Sequence, residues 1–287
     1  MDTSADTALL DSAFPAQRIA LADGSQLAVR RCGDARAPAV VLLHGISSGA
    51  ASWLHTALRL DGLQAIAWDA PGYGDSSPLA AAEPTDADYA VRLEALLQAL
   101  DLRRCLLVGH SLGALMAAAH ARIHGAARGA RLVLISPAGG YGQDGNAAAR
   151  ERVQRERLAA LDQHGVAGLA AAIDQRLLSP EASDAQRAWV RWNTARLHAG
   201  GYRQAVALLC ASDLGRAQGL AQPVEVHCGA ADVVTPPEAC RRWAERLGAP
   251  YAEIAGAGHA SPIEQPQAVA RLIAQAAARI QGDAHHA

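Results

Sequence analysis

Leu107-Val108-Gly109-His110-Ser111-Leu112-Gly113-Ala114 joins a short apolar run, residues 105–108, to a stretch from Leu112 to His124 in which Leu, Met and Ala recur at helical spacing. The pattern reads as a strand, a tight turn and a helix, with Gly-x-Ser-x-Gly at the turn. A serine placed there is pushed up above the end of a sheet, and the flanking glycines let the backbone approach its neighbours closely. Ser111 is the candidate nucleophile.

A serine hydroxyl is a weak nucleophile near neutral pH. It needs a base within hydrogen-bond reach and a third group that fixes the tautomer of that base. Two downstream loops supply them: the apolar run 224–228 leads into Gly229-Ala230-Ala231-Asp232, and 251–254 leads into Gly256-Ala257-Gly258-His259. Asp232 and His259 thereby fall just past the carboxyl ends of candidate strands, as Ser111 does. Asp213 and Asp69 are rival acids with a poorer fit to that position. Negative charge developing on a tetrahedral intermediate also needs N–H donors already in place. The backbone N–H of Leu112 is one candidate. The second is the N–H of Ile46, after the sharp turn that ends Val41-Leu42-Leu43-His44-Gly45. His44 reads as a supporting histidine, because His259 fills the role of base.

Around these motifs the chain alternates apolar runs (39–43, 63–68, 105–108, 132–135, 224–228, 251–254) with helical segments. This βαβ rhythm predicts an α/β fold: a mostly parallel central sheet with helices on both faces, and a ligand crevice at the carboxyl ends of the strands. Residues 18–21 and 26–31 flank Asp23-Gly24 and predict an antiparallel hairpin at the sheet edge. Residues 1–14, polar and alanine-rich without pattern, are expected to form a flexible leader. Between Pro137 and Val224 the rhythm breaks, with no strand-like run. Four helical stretches (146–163, 167–178, 183–197, 202–211) occur there, separated by Gly165, Pro180 and Gly200-Gly201. The expected division is a core of 15–137 and 219–287 with a helical cap inserted over 138–218.

The 287 residues carry 26 basic and 28 acidic side chains, a net charge of −2. With no basic run, nothing electrostatic calls for nucleic acid or an anionic membrane as partner. A small-molecule substrate is expected, acted on by a monomer or homodimer. All 26 basic residues are arginine, so Schiff-base chemistry, which needs a lysine amine, is excluded. The five cysteines (Cys32, Cys105, Cys210, Cys228, Cys240) lack Cys-x-x-Cys spacing and suggest neither a disulfide framework nor a zinc site. No metal or organic cofactor is expected. Met1 to Asp6 lack the basic start and apolar core of a signal peptide, and no apolar run approaches a membrane span, so a cytoplasmic location is expected.

Over about residues 18 to 281 the chain resembles the α/β-hydrolase superfamily, of the capped kind that includes esterases, lactonases and C–C bond hydrolases. The residues that carry the resemblance are His44-Gly45 with Trp53, the run Asp69-Ala70-Pro71-Gly72-Tyr73-Gly74-Asp75-Ser76, the Ser111 turn, Gly229 to Asp232, and Gly258-His259 with Glu264 and Pro266. The chain order serine, aspartate, histidine is that of this fold and differs from those of chymotrypsin and subtilisin. The resemblance implies that 69–76 is a structural turn without chemistry. It also implies a Ser111-His259-Asp232 triad that cleaves an ester or lactone through an acyl-enzyme. Haloalkane dehalogenases and epoxide hydrolases resemble the chain but use an aspartate at the elbow. Hydroxynitrile lyases use a lysine that has no counterpart here.

Two alternatives stand beside ester chemistry. One is C–C hydrolysis of a ring-cleavage dienoate, as in the meta-cleavage product hydrolases. Those enzymes typically carry a Gly-Pro-Gly-type loop after His-Gly and a tryptophan after the catalytic histidine, where this chain has Ile46-Ser47-Ser48-Gly49 and Ala260. The other is a hydrolase-like ligand receptor. Trp189, Arg191 and Trp192, with Arg196, are candidate substrate contacts: an apolar face with a cation suited to an acidic substrate. The same spacing also describes a packed amphipathic lid helix with solvated arginines.

Overall fold

The computed structural model describes residues 3–284, with side chains through residue 280. Among them eight strands form one sheet: β1 (Ala16–Ala20), β2 (Gln26–Cys32), β3 (Ala39–Leu43), β4 (Gln64–Trp68), β5 (Cys105–His110), β6 (Gly129–Ile135), β7 (Val224–Gly229) and β8 (Tyr251–Ile254). Their order is β1-β2-β4-β3-β5-β6-β7-β8. The first two pairings, β1 with β2 and β2 with β4, are antiparallel. The pairings from β4 to β8 are parallel. The edge hairpin and the mostly parallel sheet are as expected.

The central strands are apolar on both faces because both are covered. Val41, Leu43, Leu107, Leu132 and Leu134 point to one side. There they meet Leu93 and Leu97 of α3 (Asp86–Ala99), Leu115 of α4 (Leu112–His124) and Ala244 of a later helix (Pro237–Leu247). The alternate residues Val40, Leu42, Leu106, Val108 and Val133 point to the other side. They meet Leu54 of α2 (Leu54–Ala57) and Val269, Ile273 and Ala277 of the last helix (Pro266–Ala284).

The expectation of a flexible leader is corrected. Ser4–Ala13 forms a helix, α1, and Leu10 and Phe14 are buried in the second of these two layers. Arg30 secures the junction by donating to the Phe14 carbonyl oxygen at 2.8 Å. Two large apolar side chains spaced four apart are enough to dock a helix, although alanines around them blur the pattern.

The insertion between β6 and β7 is helical: α5 (Ala147–Leu177), kinked into two segments, α6 (Asp184–Thr194) and α7 (Ala199–Ala211) supply the four helical stretches expected. Gly165 (φ 61°, ψ −177°) is non-helical and breaks α5 into two helical segments across a kink, as expected. Pro180 lies in the α5–α6 connection as expected, whereas Gly200-Gly201 sits in the first turn of α7 rather than before it. The chain closes with α8 (Pro237–Leu247), α9 (Ser261–Glu264) and α10 (Pro266–Ala284). No helix among the described residues is long and apolar enough to cross a membrane.

Candidate active site

Ser111 stands between β5 and α4 at φ 53°, ψ −114°, a backbone conformation costly for a residue with a side chain. The turn fits only because its flanking residues lack Cβ atoms. A Cβ on Gly109 would lie 2.5 Å from the Gly113 carbonyl oxygen, and one on Gly113 would lie 2.2 Å from that of Leu43. The Ser111 N–H is spent on the Ile135 carbonyl oxygen (3.0 Å), which pins the turn to the end of β6.

Asp232 leaves the end of β7 and His259 the end of β8, and the topology brings them together: His259 Nδ1 donates to Asp232 Oδ2 at 2.8 Å. The other Asp232 oxygen accepts the backbone N–H groups of Val234 (2.8 Å) and Thr235 (3.0 Å). The Thr235 hydroxyl lies 2.9 Å from Oδ2 and 3.1 Å from the Ser136 carbonyl oxygen. Burial pushes the Asp232 pKa up, but the hydrogen bond and charge of His259, with the Thr235 N–H, hold it down at about 2. The carboxylate is therefore ionised and can only accept, so Nδ1 carries a proton, and in the neutral imidazole this tautomer leaves Nε2 as the acceptor. Ser111 and His259 line one cavity of about 720 Å³, together with Ile46 and Leu112.

The rival acids do not reach His259. Asp69 accepts the Ala50 N–H (2.8 Å), and Asp213 accepts the Gly215 N–H (2.8 Å). His44 is structural: its Nδ1 donates to the Gly45 carbonyl oxygen (2.8 Å) and its Nε2 accepts the Ala70 N–H (3.0 Å). In the run 69–76, Ser76 Oγ donates to the Asp69 carbonyl oxygen (2.6 Å) and accepts the Ala28 N–H (2.8 Å). These bonds make that run a turn locked onto β2. The Ile46 loop is held from two directions: Tyr73 OH donates to the Ile46 carbonyl oxygen (2.8 Å), and Thr194 Oγ1 donates to that of Ser47 (2.8 Å). Among the described residues, the backbone N–H groups of Ile46 and Leu112 donate to no protein acceptor. The Leu112 N–H also opens α4, where the helix dipole favours negative charge.

The expectation of substrate contacts at Trp189, Arg191 and Trp192 is corrected, since none lines the cavity. Trp189 is buried in the core and stacks on Trp192 (centroids 4.6 Å apart), and Arg196 covers the far face of that pair. Arg191 is taken up by a two-pronged ion pair with the buried Asp174, 2.7 Å at each contact. The amphipathic-helix alternative describes α6 correctly.

The cavity wall contributed by the insertion includes Arg157, Ile173 and Arg176 of α5, and the core adds Trp243 and Arg246 of α8. Sequence reasoning singled out none of these. It also missed His110, whose Nε2 donates to the His259 carbonyl oxygen at 2.7 Å. Thr235 carried a signal that went unused, a hydroxyl three residues after an aspartate in a turn. Glu264 joins the insertion to the histidine loop: its two oxygens accept the N–H groups of Ser179 and Gly258, each at 2.7 Å.

Residues 40–272 match the family described as the Alpha/beta hydrolase family. Over 254 residues the chain is 30% identical to the 2-succinyl-6-hydroxy-2,4-cyclohexadiene-1-carboxylate synthase of Serratia proteamaculans, spanning 83% of this chain and 92% of that protein. Over 90 residues, 30% of this chain and 32% of the relative, it is 33% identical to the 2-hydroxy-6-oxononadienedioate/2-hydroxy-6-oxononatrienedioate hydrolase 2 of Pseudomonas putida. Among solved structures, the enol-lactonase of Burkholderia xenovorans LB400 superposes with a TM-score of 0.79 at 25% identity, covering 90% of this chain and 98% of that one.

Proposed function

The chain belongs to the alpha/beta hydrolase family, and on that premise we propose that it is a serine hydrolase of a small-molecule ester or lactone. Ser111 attacks the carbonyl carbon while His259 Nε2 takes the hydroxyl proton, and Asp232 holds the imidazolium that forms. The backbone N–H groups of Ile46 and Leu112 receive the oxyanion. Collapse expels the leaving group, which takes its proton from His259. Water, activated by the same imidazole, then releases the acid from the acyl-enzyme. The insertion, residues 138–218, serves as a cap that closes the reaction off from bulk water.

The observation that carries this reading is the His259–Asp232 hydrogen bond, 2.8 Å, with His259 lining the same cavity as a serine in an elbow conformation. The second reading, hydrolysis of a C–C bond, is favoured by the likeness to the Pseudomonas putida hydrolase.

Parallel assays of wild type and Ser111→Ala against p-nitrophenyl acetate, p-nitrophenyl butyrate and a ring-cleavage dienoate separate them. Serine-dependent release from the esters with no loss of dienoate supports ester chemistry. Faster dienoate loss moves the assignment to C–C cleavage. Turnover that survives Ser111→Ala overturns the nucleophile, and silence on all three substrates shifts weight to a narrow substrate or a ligand receptor.

A further inference from the structure

The cavity that holds Ser111 is lined by three arginines, Arg157, Arg176 and Arg246, the last with its guanidinium against Gly215, and by one acidic residue, Asp144. None of the three forms an ion pair among the described residues. Arg157 donates only to the Tyr202 phenol oxygen, at 3.4 Å. Arg246 lies over the Trp243 ring, 5.4 Å from its centroid. Elsewhere in the insertion Arg187 and Arg191 pair with Asp174, Arg203 with Asp162 and Arg152 with Glu156, whereas Arg150, Arg155, Arg196 and Arg216 form no ion pair among the described residues. What distinguishes the cavity is the balance of its lining, three arginines against one acidic residue.

Two of these arginines sit close to the reacting groups through the backbone. Arg176 precedes Leu177, whose carbonyl oxygen accepts the N–H of Ala260, the residue after His259, at 2.9 Å. Trp243, which Arg246 covers, packs against Gly139, and the neighbouring Ala138 donates its N–H to the Ser111 carbonyl oxygen at 3.2 Å. Guanidinium groups stay charged at any working pH and match a carboxylate with two parallel hydrogen bonds. A cleft lined by one sign of charge also raises the local concentration of the opposite sign.

Resting on the ester or lactone reading above, the geometry points to a substrate that carries a carboxylate besides its scissile carbonyl, held by Arg157, Arg176 and Arg246. A half-ester of a dicarboxylic acid, or a lactone bearing an acid side chain, has that chemistry. The group the cavity selects is on the substrate, and the triad is indifferent to it.

The test compares the p-nitrophenyl half-ester of adipic acid with p-nitrophenyl hexanoate, equal in chain length and different in charge. In wild type, kcat/KM for the half-ester is expected to exceed that for the neutral ester about tenfold, the size of one charge-assisted hydrogen bond. Arg157→Gln, Arg176→Gln and Arg246→Gln each lower that ratio severalfold. Arg196→Gln, outside the cavity, leaves it in place. A wild-type ratio near one, or a ratio unmoved by all three variants, overturns the proposal.

A second arm does not depend on turnover. Adipate is titrated calorimetrically into Ser111→Ala, and into Ser111→Ala combined with Arg246→Gln. Binding that weakens about tenfold in the double variant supports the arginine site, and no binding to Ser111→Ala overturns it. If neither ester is hydrolysed, the serine-hydrolase reading fails and the titration alone decides the arginine site.

Discussion

His110 donates its Nε2 proton to the carbonyl oxygen of His259 at 2.7 Å, so the residue before the candidate nucleophile holds the backbone of the candidate base. Removing that donor frees the loop after β8 to move. His110→Phe is expected to lower kcat about 10- to 100-fold, the cost of misplacing a catalytic group by an ångström or less. His110→Gln, which keeps an N–H donor, recovers part of the loss. Steady-state kinetics on the two variants check this.

Burial, and then the neighbouring His259, hold the His110 pKa down at about 3, against an ordinary value of 6.5. His44 is shifted in the same direction by its own burial. Between those values the unfolded chain binds a proton that the folded chain refuses, so stability falls as pH drops from about 6.5 toward 3. Asp232 adds a further loss as pH falls from 3.8 toward 2, because its carboxylate is ionised when folded and protonated when unfolded. Melting temperature should therefore decline steadily between about pH 7 and pH 4.5, and His110→Phe should flatten the decline. A flat profile in wild type contradicts the burial of a neutral histidine at this position.

Within the proposed triad, the candidate proton carrier and its orienting partner are expected to differ in cost. His259→Ala should lower kcat by about 10⁶-fold and Asp232→Ala by about 10⁴-fold, with both far below wild type. Ester turnover followed to single-turnover limits measures the difference. Equal rates in wild type and His259→Ala would remove the histidine from the mechanism.

Glu264 divides its two oxygens between the N–H groups of Ser179 and Gly258. In Glu264→Gln one oxygen becomes an NH₂ donor, which leaves one buried N–H without an acceptor at a cost of about 1–3 kcal/mol. Melting temperature should fall by several degrees. Turnover should fall with it, because Gly258 adjoins His259. Thermal unfolding and ester kinetics on one preparation test both effects.

Arg191 gives the opposite expectation. Its partner Asp174 is buried and its guanidinium lies outside the cavity, so Arg191→Ala should lower the melting temperature while KM for either p-nitrophenyl ester stays within about twofold of wild type. A large rise in KM with unchanged stability would return α6 to the substrate wall.

The elbow and the two strand-end loops were legible in the sequence because each requirement there is local. Gly109 and Gly113 flank the serine in a short motif, and Asp232 and His259 each directly follow a candidate strand. The cavity wall was not legible, for a physical reason. Periodicity on α6 separates its buried face from its exposed face but does not say what lies opposite, and Trp189 proved to face the core rather than a ligand. Arg157, Arg176 and Arg246 come from two helices far apart in the chain, and nothing local marks them as neighbours. At the amino terminus, Leu10 and Phe14 were too few and too flanked by alanine to announce a docked helix.

Ser111 is held at φ 53°, where glycine would sit without strain, and a side chain there costs about 1–3 kcal/mol. Selection for a durable fold and selection for turnover therefore ask for different residues at this one position. A lineage released from its substrate would drift toward glycine at 111 and become more stable as it did so. On the proposed mechanism, Ser111→Gly would give a protein that is more stable and inactive.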